Sequence, residues 1–165
     1  MRVLAFDLAD CTGWATRDAR GEIVSGVLDL SIANGQHPGA RSVRARGALR
    51  ALAEKHRADV IAWERIVSAS TKFRGSDATA SLYGLQTQLV EVAFVSGAET
   101  HTVAPATLKK FATGDGRADK ARMVLEARKR WVGWTPATHD EADARWVLLW
   151  AEQTIAARAA EGAPT

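Results

Sequence analysis

Arg2-Val3-Leu4-Ala5-Phe6-Asp7 is a short apolar run closed abruptly by an acid, and a run of this kind suits a strand covered on both faces. Outward from it, Thr12-Gly13 is a turn signal leading into Trp14-Ala15-Thr16. A second turn over Asp18 to Gly21 precedes the alternating stretch Glu22 to Leu30, so the beginning of the fold reads as a three-strand antiparallel meander. Asp59-Val60-Ile61-Ala62-Trp63-Glu64 repeats the acid-closed apolar pattern. A helix over Arg41 to His56, with Ala45, Leu49 and Leu52 on one face, separates it from the meander, so this strand enters by a crossover, parallel to a neighbour. Asp77 to Val95 is a long helix whose Leu82, Leu85, Leu89 and Val92 stripe serves either core or a subunit interface. A strand over Thr100 to Val103, a short helix from Pro105 to Phe111, and helices over Arg117 to Trp131 and Asp140 to Ala159 complete an α/β order of βββαβαβ plus C-terminal helices.

The 165 residues fit one domain, spanning 1–160, with 161–165 as a frayed tail. With 47% hydrophobic and 25% charged residues the chain is globular, not disordered. A lone cysteine, Cys11, excludes an internal disulfide and a Cys-based zinc centre and fits a reducing, cytoplasmic setting. No run approaches the ~20 apolar residues of a membrane helix, so no membrane partner is expected. The net charge of +3 is unevenly spread: Pro105 to Arg130 carries eight basic residues against three acidic. With the run Arg41, Arg44, Arg46, Arg50, Lys55 and Arg57, this gives two positive stretches suited to a polyanion or to a solvated helix face.

Four acids stand out. Asp7 and Glu64 close two central strands, although acids are depleted in strands, and strand ends are where α/β sheets place their sites. Asp140 and Asp143, three apart at the start of the last helix, lie on a side that continues through Val147 and Trp150 or Ala151. Acids that face a core need a cation. Helix-dipole stabilisation is the simpler account of acids in a first turn, and Thr138-x-x-Glu141 has capping-box spacing, which assigns Glu141 to the cap. Carboxylates from three elements without cysteine suit hard cations such as Mg²⁺, with Mn²⁺ as a substitute. Trp63 and Trp146 read as core, and His139 as a solvent-facing residue at a helix start.

The stretch from Arg2 to about Trp150 resembles the RuvC-type Holliday junction resolvases of the ribonuclease H-like nucleases. The residues that carry this are Arg2 to Asp7 with Thr12-Gly13-Trp14-Ala15, then Ile61-Ala62-Trp63-Glu64, then His139-Asp140-Glu141-Ala142-Asp143-Ala144. The resemblance implies a ribonuclease H-like mixed five-stranded sheet flanked by helices. It also implies a Mg²⁺-dependent endodeoxyribonuclease whose Asp7, Glu64, Asp140 and Asp143 hold two ions. Lys109 and Lys120 match the family's catalytic lysines, and the substrate would be branched DNA cut by a homodimer paired through the Leu82 to Val92 helix. Further DNA contacts are expected from Lys110, Arg117, Arg41 and Arg44, and from Lys72, Phe73 and Arg74 in the loop after Glu64. Phe73 is the stacking aromatic nearest the family's position. Leu8-Ala9 replaces the Pro-Gly that many relatives carry after the first acid. The short chain fits a bacterial, phage or mobile-element version. The same acids would equally serve a nuclease for RNA, hybrids or non-junction DNA, or survive in a silent junction-binding module. An actin-like ATP-binding reading lacks the second lobe and any Gly-x-x-x-x-Gly-Lys-[Ser/Thr] loop, so no nucleotide cofactor is expected.

Overall fold

Period-two alternation explains the three layers. The computed structural model describes residues 1–66 and 76–161. In β1 (Val3–Asp7), Val3 and Ala5 enter one hydrophobic cluster while Leu4 and Phe6 enter another on the opposite face of the sheet. The strand β4 (Val60–Glu64) divides the same way, Val60 and Ala62 against Ile61 and Trp63. The antiparallel meander is β1, β2 (Cys11–Arg17) and β3 (Ile23–Asp29), β4 lies parallel to β1, and β5 (Glu99–Val103) lies parallel to β4. The sheet order β3-β2-β1-β4-β5 puts the two acid-closed strands side by side at its centre. The strands follow the βββαβ order read from the sequence, and the mixed five-stranded sheet is the one that the resemblance implies.

Helices α1 (Pro38–His56) and α2 (Ser76–Ser96) cover the face carrying Leu4, Phe6, Ile61 and Trp63. The other face carries α3 (Pro105–Thr113), α4 (Lys120–Arg130) and α5 (His139–Glu161). On this second face the sheet presents small residues, Ala5, Ala15 and Ala62, so α5 lies flat across the strands. No helix among the described residues is long and apolar enough to cross a membrane.

Several boundaries differ from the sequence reading. Thr12-Gly13 is not a turn; both residues lie inside β2, and the reversal occurs at 8–10, where the Thr12 hydroxyl donates to Ala9 O at 2.7 Å and accepts from Ala9 N at 3.3 Å. Helix α1 starts three residues early because His37 Nδ1 accepts from Gly39 N at 3.0 Å and Pro38 fits the first turn. Helix α4 starts three residues late, at Lys120, because Asp119 caps it by accepting from Arg122 N at 2.8 Å. The stripe Leu82, Leu85, Leu89 and Val92 is at most 7% exposed and forms core beneath α1, so the Leu82 to Val92 face is no subunit interface. The outward face of α2 carries Tyr83, Val90 and Phe94 instead.

Among the glycines of the described residues, Gly13 makes the closest approach to another element. A Cβ there would stand 2.0 Å from the backbone oxygen of Asp140, so the first turn of α5 rests directly on the backbone of β2. Gly13→Ala is expected to lower stability by about 2–3 kcal/mol through forced separation of these elements. Gly47→Ala, at an exposed helical position with open space around it, should stabilise by about 0.5–1 kcal/mol. Urea midpoints of the two variants check this, and equal midpoints would contradict the contact.

Candidate active site

Asp7 and Glu64 follow Ala5 and Ala62 by two residues, so both project from the α5 face of the sheet. They sit one step beyond the last paired residues of the two central strands, Phe6 and Trp63. Asp140 and Asp143 approach from above in the first turns of α5. The rotation of that helix is fixed by Glu141, as the capping-box spacing predicts. Thr138 Oγ1 accepts from Glu141 N at 3.1 Å, while the Glu141 carboxylate accepts from Ala137 N at 2.7 Å and from Ser25 Oγ at 2.6 Å. With Glu141 tied to β3, Asp140 turns inward and is 5% exposed.

The electrostatics record four acids crowded at one sheet edge. Burial pushes the Asp7 carboxyl well up, and Asp143, Glu64 and Asp140 push it further. Asp143 is pushed up to about 7, by burial first and then by Glu64. Glu64 is raised by burial, while Lys109 and Lys120 oppose the shift. Both lysines also lower Asp143, which shows that α3 and the start of α4 bring their ammonium groups to these carboxylates. His139 keeps a solvent-facing side chain, 42% exposed, that also makes contacts. Its Nε2 lies 2.9 Å from Asp140 Oδ1 and also meets Lys120 Nζ. The spacing between Lys120 and His139 along the chain gave no sign of this link.

The donor set is all carboxylate, suited to a hard divalent cation. Asp143 Oδ1 is a buried oxygen without a hydrogen-bond partner, as a ligand atom awaiting a cation would be. Among the described residues no three acid, histidine or cysteine side chains already enclose one point.

The other expected contacts divide. Lys110 and Arg117 are exposed on α3 and on the α3–α4 connection beside the lysines. Arg44 is exposed on α1 but donates to the Ser31 carbonyl. Arg41, expected at the DNA, is instead 6% exposed, its guanidinium lying 2.8 Å from Asp10 Oδ1 and donating to Ser81 Oγ. It braces the β1–β2 turn against α2 and has no free face for DNA. Lys72, Phe73 and Arg74 lie outside the described residues. Trp63 and Trp146 are core, 3% and 4% exposed.

No protein-family model matches the sequence, and no curated protein is similar to it. Solved structures are similar in fold. The RuvC structure of Thermus thermophilus superposes with TM-score 0.71 at 18% identity, over 93% of this chain and 97% of that one. The T. thermophilus RuvC in complex with Holliday junction substrate gives 0.74 at 17%, over 93% and 96%. The yeast mitochondrial Holliday junction resolvase Ydc2 gives 0.57 at 16%, over 88% and 75%. The chain has the RuvC-type fold.

Raised carboxyl pKa values mean that the folded, metal-free protein holds protons the unfolded chain releases near pH 4. Stability is therefore fully supported at the acid end of this window and declines as pH rises toward about 7, where Asp143 ionises. Thermal denaturation in chelator should give a higher midpoint at pH 5.5 than at pH 7.5. Asp143→Asn should raise the pH 7.5 midpoint by several degrees, since ~1 kcal/mol corresponds to about 2–4 °C in a domain of this size. A midpoint that climbs with pH would contradict the charge crowding.

Proposed function

We propose that the protein is a metal-dependent endonuclease that resolves four-way and other branched DNA by paired phosphodiester hydrolysis. The observation that carries this is the meeting of Asp7, Glu64, Asp140 and Asp143, from two central strands and one helix, in a chain with the fold of junction resolvases. In this reading the four carboxylates hold two Mg²⁺ ions, with Mn²⁺ substituting. When bound, the ions supply an activated water and stabilise charge on the leaving oxygen.

The chain's own residues bind and orient. Lys109 and Lys120 reach the carboxylates from α3 and α4 and hold the scissile phosphate as its bond breaks. Lys110 and Arg117, exposed nearby, contact neighbouring phosphates; Lys72, Phe73 and Arg74 enter this reading from the sequence alone. Binding carried by phosphates falls steeply with salt.

Symmetric resolution needs two cuts, which a two-fold homodimer supplies. With Leu82 to Val92 committed to the core, the dimer face in this reading is the outward stripe of α2, where Tyr83, Val90 and Phe94 recur at helical spacing and Phe94 is 87% exposed. Phe94→Glu is expected to yield a folded monomer by analytical ultracentrifugation that nicks junction strands singly. A variant that stays dimeric would move the interface elsewhere.

The central test incubates the protein with labelled four-way junction and matched duplex in Mg²⁺, Mn²⁺ or Ca²⁺, beside Asp7→Asn. Paired nicks in the junction are expected, slowed about 10³-fold in Asp7→Asn. Equal cutting of all DNA or RNA substrates would favour a general ribonuclease H-like nuclease. Binding without cleavage in any ion would favour a silent junction-binding module.

A further inference from the structure

Helix α5 buries a cation that the carboxylate site does not use. Arg145 is 7% exposed, and its guanidinium carbon stands 3.7 Å from the ring centroid of Trp134 and 5.4 Å from that of Trp131. Nε donates to Ser25 Oγ at 2.8 Å, and Ser25 donates in turn to Glu141, so the nearest carboxylate is reached only through a hydroxyl. Burial disfavours the charge of this guanidinium. Among the described residues its two Nη groups make no hydrogen bond to protein, yet neither is sealed from solvent.

Arg145 lines a cleft of about 700 Å³ formed by the end of α4, the loop before α5 and the far ends of β2 and β3. Arg17 also lines it but is committed to Glu152 through bonds of 2.7 and 3.0 Å. Arg130, exposed at the last residue of α4, has no ion-pair partner among the described residues. Val132, 89% exposed, and Trp134 add apolar surface. Glu22 is the one acid in the lining.

A buried guanidinium set over the Trp134 ring, with Nε used and the Nη groups left open, offers a planar donor edge that suits a phosphate. Keeping such a charge in a core is costly unless it meets an anion. The cleft lies on the α5 side of the sheet, and Arg145 is five residues, about 7.5 Å of helix rise, beyond Asp140. Gly13, beside Asp7, and Arg17, in the cleft lining, are four residues apart on β2, about 13 Å of strand, so the cleft stands off from the carboxylates and is met by a substrate arm that extends beyond them.

We propose that this cleft is a second phosphate site for DNA, separate from the cleavage centre. The Nη edge of Arg145 and the side chain of Arg130 hold one backbone phosphodiester of a substrate arm, and the adjoining sugar packs on Val132 and Trp134. This assignment rests on the branched-DNA reading above.

Fluorescence anisotropy of a labelled four-way junction, titrated with the full-length protein in Ca²⁺ over a salt series, tests it. Arg130→Gln changes an exposed residue and keeps the fold. Arg145→Lys keeps the charge but loses the planar edge. Each should weaken binding roughly 3–10-fold, and Arg130→Gln should reduce the salt slope by about one. If the wild type binds and Lys110→Gln lowers the slope while Arg130→Gln matches wild type in affinity and slope, the cleft is not a DNA site and the inference is overturned, with the nuclease reading intact. If the wild type binds neither junction nor duplex, the DNA reading itself fails and this assignment falls with it.

Discussion

Backbone meets backbone where Gly13 receives the carbonyl of Asp140, and the rest of the site inherits its geometry from that contact. A side chain at Gly13 would overlap the first turn of α5. With hydrogen there, the helix descends onto a floor of Ala5, Ala15 and Ala62, and its N-terminal acids arrive at the level of the two strand-end acids. Close packing of this kind transmits position faithfully, because interiors at crystal-like density do not deform gradually. Glu141 supplies the second restraint by joining the helix cap to Ser25 of β3.

The fold thus assembles a set of charges that, without cations, opposes its own formation. Asp7, Glu64, Asp140 and Asp143 are drawn together by apolar packing around them; burial raises the carboxyl groups of Asp7, Glu64 and Asp143, and repulsion adds to the shift at Asp7 and Asp143. Lys109 and Lys120 offset part of this. Protein interiors retain such unfavourable groupings at functional sites, where preorganised charge is used on something that binds. Arg145 poses the same question with opposite sign: a stacked, buried cation with open donors beside an exposed cation of α4.

Much of this was legible in the residues. Two apolar runs closed by acids gave the central strands, and the interval between Asp140 and Asp143 gave the helix face. The capping-box spacing identified the role of Glu141. The failures have physical reasons. Thr12-Gly13 carries a turn signal because glycine most often marks one, whereas glycine inside a strand pattern also marks close backbone approach. The leucine stripe of α2 was ambiguous because an apolar face does not say what covers it. Arg41 looked like surface charge, since its partners Asp10 and Ser81 lie far off in sequence. The meeting of Lys120 with His139 and the stacking of Arg145 on Trp134 depend on how α4, its following loop and α5 come together, which no local pattern encodes.

The parallel pairing of β1 with β4 carries a rule of parity. Val3 stands beside Val60 and Phe6 beside Trp63, so the two acids share a face only while each strand keeps its count. Inserting or deleting one residue between Val3 and Asp7, or between Val60 and Glu64, would turn that acid to the α1 and α2 side. Changes by two would preserve its face. The connection from Asp29 to Pro38 carries no such constraint, and longer surface loops cost little. Length variation in a lineage of this fold is therefore free in its connections and forbidden in odd steps within its two central strands.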